Sequence, residues 1–135
     1  MNKLLPFFLS ICWMTNGWSQ CEESLNSAEA ALGKSFIVNP QFNSAVLSVS
    51  DSLTFESVWL ANNTYRIATS AGEKEQIDIR LFDQNNQLIF SGSEFNYPSK
   101  WDFFIENSMT IKCVVRPVQV ASTPFCITVL TGFKK

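Results

Sequence analysis

From Pro40 onward, apolar side chains recur at every second residue, in short runs separated by turn-forming polar residues. A period of two sends successive side chains to opposite faces of an extended strand, so each strand must bury one face against another layer. Ala45, Leu47 and Val49 alternate with Ser44, Ser48 and Ser50, with Val46 the exception. Leu53 to Leu60 forms a second run, and Asn62-Asn63 marks a turn before Thr64 to Thr69. Between Gln76 and Phe82, Ile77, Ile79 and Leu81 share one face, and Asp78 and Arg80 share the other. Asp83-Gln84-Asn85-Asn86 then reads as a hairpin turn into Gln87 to Ser91. Trp101 to Glu106, Met109 to Arg116 and Phe125 to Thr131 complete the series.

About eight short strands at spacings of roughly 8–12 residues predict an all-β fold, an antiparallel β-sandwich or jelly roll. Helical spacing is confined to one short N-terminal segment. There Cys21, Leu25, Ala28 and Leu32 fall on one stripe, with Glu22 and Glu23 near the start and Gly33 as a natural stop. A helix of about three turns is marginal alone and needs docking against a sheet. The absence of helical spacing after Gly33 excludes parallel βαβ units.

The first residues read as a secretory signal. Lys3 precedes an apolar run from Leu4 to Met14, and the small residues Gly17 and Ser19 stand two apart. Cleavage is expected before Gln20. Residues 1–19 are then a signal peptide and residues 20–135 a single β-sandwich domain, with a helix at 21–33 and strands from about residue 44. The apolar run of about 11 residues is short of the roughly 20 that cross a bilayer, so the reading has no membrane anchor. The expected location is periplasmic or secreted.

Processing would leave 9 basic and 12 acidic residues, because Lys3 is the one charged residue lost. A mildly acidic chain without a run of Lys or Arg is not expected to bind nucleic acid or an acidic membrane surface. Histidine is absent altogether. That removes Ser-His-Asp and Cys-His nucleophile systems, histidine bases and nearly all zinc or copper sites. Only carboxylate, lysine, tyrosine or calcium chemistry remains, and no cofactor is expected.

Cys12 would leave with the signal, and Cys21, Cys113 and Cys126 would enter an oxidising compartment where pairing is expected. Three cysteines always leave one over. Cys113–Cys126 is the favoured bridge, because both fall on what read as neighbouring antiparallel strands joined by a short loop. Cys21 reaching either of them stays open.

Thr64-Tyr65-Arg66-Ile67, Ile79-Arg80-Leu81-Phe82-Asp83, Leu88-Ile89-Phe90, Trp101-Asp102-Phe103 and Leu130-Thr131-Gly132-Phe133-Lys134 form a series along the chain. It resembles small uncharacterised exported β-sandwich proteins of the Bacteroidota over roughly residues 21–135. The order of elements is similar to pre-peptidase C-terminal (PPC) domains and GOLD-like domains. That resemblance implies an accessory module without catalytic residues. The acidic, calcium-linked positions of some pre-peptidase domains have only Asp83 and Asp102 as counterparts here.

Candidate sites each compete with a plainer reading. Asp83, Asn85, Gln87 and Glu94 occupy positions one, three, five and twelve of a calcium loop. Leu88 stands where that loop needs glycine, so Asp83 is carried forward alone as a calcium candidate, against a simple hairpin turn. Asp78, Asp83, Glu94, Asp102 and Glu106 are the carboxylates from which a glycosidase pair would have to come. Phe95, Tyr97 and Trp101 cluster around Pro98 with Asn96, Ser99, Lys100 and Asp102 between them, aromatic faces beside amide and carboxylate groups that suit stacking and hydrogen bonding of a sugar or peptide. Trp101, with Phe103 and Ile105, also fits a core-facing strand, and Trp59 reads as core. Asn62-Asn63-Thr64 matches a glycosylation acceptor, though asparagine is expected in a turn anyway. The function this predicts is a non-catalytic binding or accessory module whose loop end, residues 92–101, contacts a glycan, peptide or envelope partner. A structural protein–protein component of the cell envelope is the alternative, and a carboxylate-dependent hydrolase the third.

Overall fold

The computed structural model describes residues 18–39, 43–47, 51–71, 76–118 and 125–134. Their regular structure is one helix, α1 (Trp18–Leu32), and nine strands. The strands are β1 (Ile37–Val38), β2 (Asn43–Leu47), β3 (Leu53–Trp59), β4 (Asn63–Ser70), β5 (Ile77–Phe82), β6 (Leu88–Ser91), β7 (Lys100–Ile105), β8 (Met109–Pro117) and β9 (Phe125–Lys134). All eight expected runs are strands. Among the strands, β9 continues to Lys134 beyond the expected run, and β1, too short to leave a period, is not among the expected runs. The expected signal segment, apart from Trp18 and Ser19, lies outside the described residues. Helix α1 begins at Trp18 rather than Cys21, so the expected cleavage boundary falls in its first turn.

The strands form two antiparallel sheets. One has the order β2-β9-β4-β7, with β1 also pairing β9, and the other has the order β3-β8-β5-β6. The pairs β5·β6, β4·β7, β3·β8 and β2·β9 nest inside one another. A single long ribbon with β5–β6 at its tip therefore winds across both sheets. Of the connections between consecutive strands from β2 onward, only β5–β6 stays within one sheet. This is the jelly-roll winding, and it gives the all-β sandwich expected from the alternation.

Between the sheets lie Tyr65 and Ile67 of β4, Ile79 and Leu81 of β5, Ile111, Cys113 and Val115 of β8, and Ile127 and Val129 of β9. Trp59 fills one end, stacked on Tyr65 with ring centroids 4.9 Å apart. Helix α1 lies on the outer face of the first sheet, where Ala28, Leu32 and Phe36 pack on Ala68 and Leu130. We call this the covered sheet and its partner the open sheet. Strand β9 is thus buried on both sides, and Cys126 to Gly132 are all inaccessible. That explains why its sequence is continuously apolar or small instead of alternating. Gly132 stands under the helix, where a Cβ would come within 3.1 Å of Leu32 Cδ1 and Ile37 O.

The helix is fixed at both ends. Gly33 stops it at a φ of 83°, its N–H donating to Glu29 O, and Arg66 Nη1 donates to the free Leu32 carbonyl at 3.0 Å. The same guanidinium forms a two-pronged pair with Asp102, Nε to Oδ1 at 2.6 Å and Nη2 to Oδ2 at 2.9 Å, and lies over the Phe36 ring. At the other end Cys21 is bonded to Cys126 with their Cα atoms 5.3 Å apart.

The expected Cys113–Cys126 bridge is therefore corrected. Strands β8 and β9 are consecutive, but the jelly-roll winding places them in opposite sheets. Cys113 faces the inter-sheet core and Cys126 faces the helix side. Cys113 is a buried free thiol, and burial pushes its pKa up to about 12. Among the described residues, no helix is long and apolar enough to cross a membrane.

Candidate functional site

The loop end singled out in the sequence is where the chain leaves β6, the edge of the open sheet, and crosses to β7, the edge of the covered sheet. It starts at Gly92, whose Cβ, if present, would press on Ile79 N at 3.3 Å and Ile79 O at 3.4 Å. Glycine lets this crossing run hard against β5. Gly92–Phe95 make one 3₁₀ turn, closed by Tyr97 N–H donating to Gly92 O at 2.9 Å. Asn96 and Tyr97 both have left-handed backbones, with φ of 58° and 54°. Asparagine tolerates that conformation, but a tyrosine is strained there by roughly 1–2 kcal/mol, and a residue before proline normally prefers the extended region.

That backbone divides the three aromatic candidates. Phe95 lies over the core edge, its centroid 4.4 Å from Trp101 and 5.4 Å from Phe90, with 46% of its surface exposed. Trp101 opposes Ile67 and packs with Phe103 against the core, so the core-facing reading of β7 holds. Phe95 and Trp101 are thus brought together as a cap over the sandwich edge. Tyr97 is turned elsewhere. It lines a cleft of 330 Å³ together with Ser27 and Ala31 of α1, Thr69 to Ala71, Gln76-Ile77, Pro98 and Ser99.

The cleft walls are tied together. Thr69 N–H donates to Ser99 O at 2.8 Å, and Ser24 Oγ donates to Ser70 O at 2.8 Å. The first bond fixes the loop to β4 and the second fixes α1 above it. Among the described residues that line the cleft, none carries a charged side chain. What the cleft offers is hydroxyls, one carboxamide, backbone groups and one aromatic ring.

The acidic candidates do not converge there. Asp83 Oδ1 accepts from the N–H groups of Asn85 and Gln87, both at 2.9 Å, and Asn86 follows with a φ of 63°. This is the hairpin turn reading, with the carboxylate holding its own backbone. Glu94 sits beyond β6 in the 3₁₀ turn. Among the described residues no group of three or more Cys, Asp or Glu is placed to hold a metal ion. Asp102 lies on the helix-side face of the covered sheet against Arg66, whose hydrogen bonds hold its carboxyl below the ordinary range. Asp78 lies on the outer face of the open sheet between Arg80 and Arg116. Asn63, the first residue of β4, donates its amide to Leu60 O and Ala61 O of the preceding turn.

Sequence reading found Tyr97 but not Ser27, Thr69 or Gln76. These come from three separate segments whose spacing in sequence carries no trace of their meeting. Arg66, which orders the helix end, was also invisible, because its partners Leu32 and Asp102 lie 34 and 36 residues away. No known protein-family model matches this chain, and no curated protein is significantly similar to it.

Proposed function

We propose that this chain is an exported, non-catalytic module that binds a neutral polar ligand, a sugar unit of a glycan, in the cleft beside Tyr97. The observation that carries the reading is the lining itself: among the described residues, Ser27, Thr69, Ser70, Gln76 and Ser99 bring hydroxyl and carboxamide side chains to the cleft beside Tyr97, and none brings an ionic group. A ring face with neutral donors and acceptors suits a polyhydroxylated ligand, whereas an anion or cation would lose its hydration without a counter-charge. At 330 Å³ the cleft lies near the small end of the roughly 300–1,000 Å³ range of ligand pockets, which fits one or two sugar rings. The left-handed Tyr97 adds support, since strain of this kind collects where a side chain must be aimed. Export is supported by the Lys3-led apolar segment and by the Cys21–Cys126 bond, which an oxidising compartment maintains.

The test is a glycan array, followed by calorimetry on any hit with wild-type protein, Tyr97→Ala and Phe95→Ala. Neutral glycans are expected to bind, Tyr97→Ala to weaken them at least about tenfold, and Phe95→Ala to leave affinity within about twofold. An array without hits, or a Tyr97→Ala protein that binds as tightly as wild type, overturns the proposal.

A further inference from the structure

We propose that Arg80 and Arg116, on the outer face of the open sheet, form an oxyanion site that takes a carboxylate, sulfate or phosphate group. The site is independent of the Tyr97 cleft. Ile77, which lines the cleft, and Asp78, which anchors this site, point to opposite faces of β5.

The pairing register places Arg116 directly opposite Asp78, with Arg80 two residues along β5 on the same face. An aspartate on the outer face of a sheet with no layer of described residues above it is ordinarily solvated, yet Asp78 is only 7% exposed. The two arginines converge on its Oδ2, Arg80 Nε at 3.3 Å and Arg116 Nε at 3.8 Å. Neither contact is a hydrogen bond: Arg80 Nε has no hydrogen-bond partner, and 3.8 Å is too long for one. The other carboxylate oxygen, Oδ1, is buried beside Gly92 and has no donor either.

One buried negative charge thus faces two guanidiniums, leaving a local excess of one positive charge. Their side chains are 40% and 48% exposed, and among the described residues no second acid stands within ion-pair distance of either. Lys112, further along β8, is already engaged by Asn86 Oδ1 at 2.6 Å. A guanidinium is a planar fork with two donor edges, and Asp78 faces only the Nε side of each. The remaining N–H groups match a group carrying two or three oxygens, which would bridge the pair with charge-assisted hydrogen bonds. Asp78 acts as the positioning residue, holding both forks close together against their mutual repulsion.

The experiment is an NMR titration of ¹⁵N-labelled protein with sodium sulfate, phosphate and acetate, each against chloride at matched ionic strength, following the arginine Nε–Hε signals. Saturable shifts of the Arg80 and Arg116 signals with at least one oxyanion are expected, and the ranking of the three identifies the group preferred. Arg116→Gln, whose folding is checked by circular dichroism, is expected to weaken that binding about tenfold or more, and Lys112→Gln to change it less than about twofold. Shifts that only drift with ionic strength overturn the proposal. So does a Lys112→Gln loss as large as that of Arg116→Gln, which would mean diffuse surface potential instead of a site.

Discussion

Replacing Cys21 with serine removes the disulfide that ties the helix to the sandwich. Its partner Cys126 is 105 residues away in sequence. In the chain-entropy model a cross-link over about 100 residues restricts the unfolded chain by about 4.7 kcal/mol, against about 3 kcal/mol for a loop of some 13 residues such as Cys113–Cys126 would close. Domains of this size are stable by only about 5–15 kcal/mol, so losing the longer link removes a large fraction of the total. With a urea m-value of about 2 kcal/mol per molar, the unfolding midpoint is expected to fall by about 2 M. Serine at position 21 should not be rescued by a new bridge, because Cys113 and Cys126 lie on opposite faces of the covered sheet's core boundary. Cys113→Ala, by contrast, keeps the link and is expected to lose only about 1 kcal/mol for the vacated volume. The assay is urea unfolding followed by circular dichroism, with a non-reducing peptide map of each protein. A midpoint change below about 0.5 M for Cys21→Ser, or a wild-type map joining Cys113 to Cys126, refutes the reasoning.

Three further outcomes follow from the packing. The raised Cys113 pKa of about 12 and its 2% exposure mean that iodoacetamide at pH 8 should not modify it in the folded protein, whereas mass spectrometry should find it alkylated after denaturation. Asp102 is held below its unfolded value by Arg66, so its contribution is present above about pH 4 and lost as pH falls through the depressed folded value. The melting-temperature advantage of wild type over Asp102→Asn should therefore shrink between pH 6 and pH 3, and a constant advantage would count against the pairing. Gly132→Ala would press a methyl group on Leu32 and the Ile37 carbonyl at 3.1 Å, and thermal melts should show a loss of about 1–3 kcal/mol.

Part of the candidate site was legible from local chemistry. The cluster around Pro98 pointed to Tyr97, and period two in Trp101, Phe103 and Ile105 gave the core-facing side of β7. The turn at Asp83 followed from residues that hydrogen-bond their own backbone. The rest of the cleft was not legible, because α1, β4 and β5 bring one or two side chains each to a place defined only by docking. The Asp78–Arg80–Arg116 cluster was half visible: Asp78 and Arg80 share a face by alternation, but Arg116 joins them only through the β5·β8 register.

The sequence by itself determined the strands, the single helix and the side of most strands that meets the core, because backbone geometry ties side-chain direction to residue spacing within a few residues. It did not determine which sheet each strand joins. The ribbon changes sheet at every connection after β2 except β5–β6, and a crossing costs nothing that a local pattern records. Tertiary structure alone decided that Cys21 rather than Cys113 reaches Cys126, that β9 is covered on both faces, and that Tyr97 is parted from Phe95 and Trp101. Each of these depends on contacts between segments far apart in the chain, whose energies become available only when the whole ribbon has closed.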